Sequence, residues 1–91
     1  MTARRLIIRG RVQGAGYRDW MLPEALRLGV RGWMRNRSHG GVEALAAGAG
    51  YAVAALIAAC RIGPMLARID EIGETLAEPP CTAGFQRMQT G

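Results

Sequence analysis

The sequence predicts a two-layer α/β sandwich, the ferredoxin-like βαββαβ arrangement with one further terminal strand and two helices on one face of an antiparallel sheet. Three observations lead to it. Ninety-one residues form one core only, because a chain this short buries about 60–65% of the surface that its unfolded form exposes. Residues 1–91 therefore read as a single domain. The apolar period alternates between two and 3.6 along the chain, and Gly or Pro clusters mark each change.

The first strand comes from Leu6, Ile8, Gly10 and Val12 alternating with Arg5, Ile7, Arg9 and Arg11. Gln13-Gly14-Ala15-Gly16 then breaks the pattern. From Tyr17 to Leu28, Leu22, Ala25, Leu26 and Gly29 recur at i, i+3, i+4 and i+7, which predicts a helix. Arg27 in its last turn and Gly29 after it are stop signals. Pro23 lies beyond the first turn, removes one backbone hydrogen bond and predicts a bend near the helix start.

Val30 to Arg37, carrying Trp33, and Val42 to Ala47 flank the turn cluster Ser38-His39-Gly40-Gly41 and read as a hairpin. Ala44 to Cys60 holds no charge over 17 residues, the lower edge of a membrane-spanning length. Its alanine and glycine content argues against a span, and Gly48-Ala49-Gly50 reads as a break between two shorter elements. The second of these is a helix from Tyr51 to Arg61 with Val53, Leu56, Ile57 and Cys60 inward, ended by Gly63-Pro64. Ile72, Glu74 and Leu76 predict a strand, and Phe85 to Thr90 a last one.

Twelve arginines and no lysine face seven acids, a net charge of +5, so anions are the expected partner class. Nucleic acid, acidic membrane surfaces and phosphorylated or carboxylated small molecules all satisfy that condition. Cys60 and Cys81 have neither CxxC spacing nor the density of a disulfide scaffold, so two free thiols in a reducing, cytoplasmic setting are expected. Leu6-Ile7-Ile8 is too short for the apolar core of an export signal. The ends at Met1 and Gly91 suggest a stand-alone unit.

Elimination narrows the chemistry. His39 and Ser38 are the only residues of their kinds, adjacent in a turn where their side chains diverge, so no nucleophile-and-base pair emerges. His39, Cys60, Cys81 and the scattered carboxylates show no metal-ligand spacing. Asp70 and Glu71 point to opposite faces of a strand. What remains is the glycine loop at the mouth of the first helix. It is neither a Walker loop nor a dinucleotide fingerprint. Two glycines let consecutive N–H groups converge, the helix N-terminus adds partial positive charge, and Arg18 supplies a planar fork of donors. Together they describe a site for one phosphate-sized dianion.

Gly10-Arg11-Val12-Gln13-Gly14-Ala15-Gly16-Tyr17-Arg18 and Gly32-Trp33-Met34-Arg35-Asn36, with Gly40, Val42 and Gly48 in register, resemble the two signature motifs of the acylphosphatase family. The likeness runs from about Arg4 to Thr90. It implies hydrolysis of carboxyl-phosphate mixed anhydrides without metal, cofactor or covalent intermediate. It further implies that the backbone of Gln13, Gly14, Ala15, Gly16, Tyr17 and Arg18 cradles the phosphoryl group. Arg18 would then grip its oxygens, and Asn36 would orient the attacking water. A small-molecule acyl phosphate would be the partner, with inorganic phosphate or sulfate as competing anions, and the protein a monomer needing neither membrane nor specific nucleic acid.

Several positions depart from the family pattern. Ala15 stands in place of the usual valine, Met34 in place of a smaller apolar residue, and Gly48-Ala49-Gly50-Tyr51 lacks the acidic first turn common in relatives. Two other readings share the fold. An RNA-recognition module needs aromatic residues on its central strands, and Leu6 to Val12 and Val42 to Ala47 have none. The other is an acylphosphatase-like regulatory or binding unit.

Overall fold

The computed structural model describes residues 1–91. Its elements are β1 (Thr2–Arg11), α1 (Tyr17–Leu28), β2 (Arg31–Asn36), β3 (Val42–Gly48), α2 (Gly50–Ile62), β4 (Arg68–Leu76) and β5 (Phe85–Arg87). One five-stranded sheet has the order β4-β1-β3-β2-β5. β1 and β3, the predicted central strands, pair antiparallel from Thr2 against Gly48 to Ile8 against Val42.

The alternation read in the sequence sorts the faces. Leu6 and Ile8 of β1, Met34 of β2, and Val42, Ala44 and Ala46 of β3 are buried beneath the helices. Met21 and Ala25 of α1 and Val53, Leu56, Ile57 and Cys60 of α2 close the same cluster from above. Full burial of each large aliphatic side chain contributes about 1.5–3 kcal/mol, so this single layer carries most of the apolar drive. α1 runs through Pro23 as one helix, and β3 ends at Gly48 where α2 begins at Gly50. No helix is long and apolar enough to cross a membrane.

The expectation of a wholly antiparallel sheet is corrected at one edge, where β5 runs parallel to β2. The connection from Ala77 to Gly84, with Pro79-Pro80 inside it, must pass from one sheet edge to the other. Four strand spacings make about 19 Å, and eight extended residues reach about 26 Å. The chain therefore crosses at the end where β4 finishes, enters β5 antiparallel to β4, and so lies parallel to β2. Strand limits differ as well. β1 starts at Thr2 and β4 at Arg68, because ladder partners extend both beyond their apolar alternation. β5 stops at Arg87, although Met88 N still donates to Met34 O (2.8 Å) and Gly91 N to Asn36 O (3.1 Å).

Candidate active site

β1 hands the chain to α1 through Gln13 to Gly16. Gly14 and Gly16 lie at φ +77° and +74°, a region that side chains disfavour and glycine adopts freely. This curl has a measurable result: none of the backbone N–H groups from Gln13 to Arg18 donates to a backbone carbonyl. Gly16, the N-cap of α1, has no side-chain cap either. Six donors are thus left without a backbone acceptor where the positive end of α1 begins. The Gln13 side chain points the other way. Its Nε2 donates to Arg37 O (2.8 Å) and Gly41 O (2.9 Å), pinning the loop to the β2–β3 hairpin.

A cleft of about 260 Å³ opens at this loop, lined by Val12, Gly14, Gly16, Tyr17, Arg18, Asp19, Asn36 and Arg87. Arg18, half-buried in the first turn of α1, enters no ion pair and no side-chain hydrogen bond within the chain. Asn36 ends β2 on the same face as Met34, opposite Val42, and only its backbone oxygen is engaged. Two polar side chains and a row of amides therefore meet in one place without internal partners. A larger groove of about 440 Å³ lies between α2 and the β1–β4 edge, lined in part by Val53, Ile57 and Arg61. It has no amide row, and Arg61 is already paired with Glu74 at 2.9 Å.

Tyr17 fixes the loop from behind. Its ring is buried, and its hydroxyl donates to the backbone oxygen of Cys60 at 2.8 Å, satisfying one of the last carbonyls of α2. Burial, with Cys60 beside it, holds the phenol far above its ordinary range, so it stays neutral. Burial likewise pushes the Cys60 thiol up to about 11, against the opposing hydrogen bond from Tyr17. A thiol so raised is no nucleophile at neutral pH. No three His, Cys, Asp or Glu side chains gather anywhere in the chain.

Of the residues singled out in the sequence, Gly14, Gly16, Tyr17, Arg18 and Asn36 line the cleft, and Gln13 and Ala15 belong to the same loop without lining it. Sequence reasoning missed Asp19 and Arg87, which form an ion pair across the cleft mouth. Arg87 lies 68 residues from Asp19 in a stretch that reads as a last strand with nothing to tie it to the glycine loop. Its place follows from β5 docking on β2, a tertiary event with no local signature.

The layer order and the sheet order define a ferredoxin-like α+β protein with a small polar cleft at the β1–α1 loop. The family model described as Acylphosphatase matches residues 4–87. An acylphosphatase from Acidiphilium cryptum is 54% identical over the whole length of both chains. One from Nitrobacter hamburgensis is 51% identical, covering 96% of this chain and 84% of that relative. The crystal structure of acylphosphatase from Bacillus subtilis superimposes with a TM-score of 0.90 at 31% identity, covering 97% of this chain and 99% of that one. The chain belongs to the acylphosphatase family, hydrolases that act on acid anhydrides.

Proposed function

We propose that this chain hydrolyses small acyl phosphates in the β1–α1 cleft by positioning and charge alone, without a metal ion or covalent intermediate. The observation that carries the proposal is a loop, Gln13 to Arg18, whose six amides have no backbone acceptor and whose Gly14, Gly16, Tyr17 and Arg18 line one cleft with the uncommitted side chains of Arg18 and Asn36. The amides and the Arg18 fork hold the three phosphoryl oxygens, and Asn36 orients a water against phosphorus. The water oxygen bonds to phosphorus as the bond from phosphorus to the acyl oxygen breaks. The electron pair leaves with the carboxylate, and the water's proton passes to a phosphoryl oxygen. Acyl phosphate and water become carboxylate and dihydrogen phosphate. A loose phosphoryl-transfer transition state asks little of a base, which suits a cleft whose one carboxylate, Asp19, is bound to Arg87.

The rest of the reading accompanies this mechanism. Residues 1–91 act as one domain and one monomer. Inorganic phosphate or sulfate competes for the cradle, and no specific nucleic acid is bound. Two unpaired cysteines suit the cytoplasm.

The test is acetyl phosphate hydrolysis in excess chelator with two variants. Arg18→Gln is expected to weaken inhibition by phosphate and nearly abolish turnover, with little rescue by Arg18→Lys, since a point charge cannot replace a bidentate fork. Asn36→Ala is expected to leave phosphate inhibition within a few-fold while kcat drops by about 10²–10³. Loss of all activity to the chelator, restored by one metal, overturns the mechanism. Near-normal turnover of Asn36→Ala overturns the water-positioning role.

A further inference from the structure

We infer that Arg87 supports the departing carboxylate, with Asp19 as the tether that holds it there. The inference rests on the acyl phosphate reading above and adds a residue to it. Arg87 is placed by backbone contacts on both sides: Gly32 N donates to Gly84 O at 2.9 Å and Met88 N to Met34 O at 2.8 Å. Phe85, buried beside it, anchors the strand. In register with Met34, Arg87 points to the helix side and lines the cleft with Arg18, Asn36 and the glycine loop. Its Nη1 bonds the carboxylate of Asp19. A guanidinium carries five N–H donors, and the others here meet nothing within the chain.

Charge accounting gives this second cation its task. The phosphoryl oxygens are served by six amides and by Arg18, whose fork is filled by a bidentate contact. One anion remains in the reaction, the carboxylate oxygen that gains charge as the P–O bond breaks, and a loose transition state places much of that charge on it early. A cation at the cleft mouth stabilises the transition state more than the ground state, which is the condition for accelerating the step. Asp19 keeps Arg87 from swinging into solvent. It also leaves the cleft with one net positive charge from Arg18, Arg87 and Asp19, a modest hold on the two anionic products.

The test is a series of substituted benzoyl phosphates whose leaving acids differ in pKa, with log(kcat/KM) plotted against that pKa. Arg87→Gln should steepen the dependence: the most acidic leaving group loses little, and the least acidic loses about ten- to a hundredfold. Arg87→Lys should restore most of the shallow slope, because a point charge suffices for a single oxygen. Asp19→Asn should steepen the slope while tightening inhibition by phosphate, since a negative charge leaves an anion site. An equal loss across the series in Arg87→Gln, or none, overturns the role in the departing charge. A wild-type slope in Asp19→Asn overturns the tether. A wild-type protein that hydrolyses no member of the series overturns the functional reading itself, a result distinct from either.

Discussion

Glu43 shows how much a single residue's setting escapes the sequence. Its place on β3 reads as an ordinary outward position, yet it is 4% exposed. Arg35 Nε donates to Oε1 at 2.8 Å and Arg5 Nε to Oε2 at 2.6 Å. The two arginines arrive from flanking strands, 8 and 38 residues away, so only the completed sheet assembles the cluster. Burial alone would raise the Glu43 pKa, but the hydrogen bonds from Arg35 and Arg5 outweigh it and hold the carboxyl below its usual range. A carboxyl depressed in the folded state stabilises above its unfolded pKa, about 4.3, and that stability is lost as pH falls through the lower folded value. Glu43→Gln is expected to destabilise by about 1–2 kcal/mol at pH 7, a modest figure because both arginines are over a third exposed. The gap from wild type should close below pH ~4, as denaturant midpoints measured from pH 7 to 3 would register. A gap independent of pH would mean that packing, and not charge, makes the difference.

At the scale of elements, α1 could be read to its exact limits, Tyr17 to Leu28, because the glycine loop, the 3.6 period and Gly29 all agree locally. β4 could not: its first residues, Arg68 to Glu71, carry no apolar alternation, and they become strand because Arg68, Ile69 and Glu71 pair with Arg11, Gly10 and Arg9 of β1, with Asp70 left at the register shift between them. α2 is legible by its period but starts without help. Its N-cap is Ala49 in extended backbone at φ −61° and ψ 143°, with no side-chain cap and no acid in the first turn. Ala52 N and Val53 N both donate to Ala49 O at 3.0 Å, and the N–H groups before them have no capping side chain. Ala49→Asp or Ala49→Ser is expected to stabilise by about 1 kcal/mol, with Asp ahead at low salt through the helix dipole. That gain raises Tm by about 4–8 °C in a domain of this size. Melting curves of the two variants at low and high salt check it, and no rise in either would show that the α2 start is already satisfied.

For the whole molecule, the net charge of +5 suggested anions without choosing among them, and the folded charge map shows which cations are free to meet one. Seven arginines are paired with acids, which leaves Arg4, Arg11, Arg18, Arg31 and Arg37. Only Arg18 of these lines the cleft beside the amide row. Interior strands β1 and β3 carry no aromatic residue, and the Arg35 guanidinium lies 5.4 Å from the ring of Trp33 on β2, whereas base stacking draws on aromatic side chains. Phosphate should therefore act as a site-bound ligand and not as a general screening salt. Ligand that binds only the native state stabilises it by RT ln(1 + [L]/Kd), about 1.4 kcal/mol at ten times Kd, or roughly 6–10 °C in Tm. The dissociation constant that fits the rise in Tm should equal the inhibition constant for acetyl phosphate hydrolysis, and chloride at matched ionic strength should give no such rise. Arg18→Gln should abolish the shift while leaving the ligand-free Tm near that of wild type, because the side chain has no partner to lose. A shift that persists in Arg18→Gln, or that chloride reproduces, would move the anion from the cleft to the general basic surface.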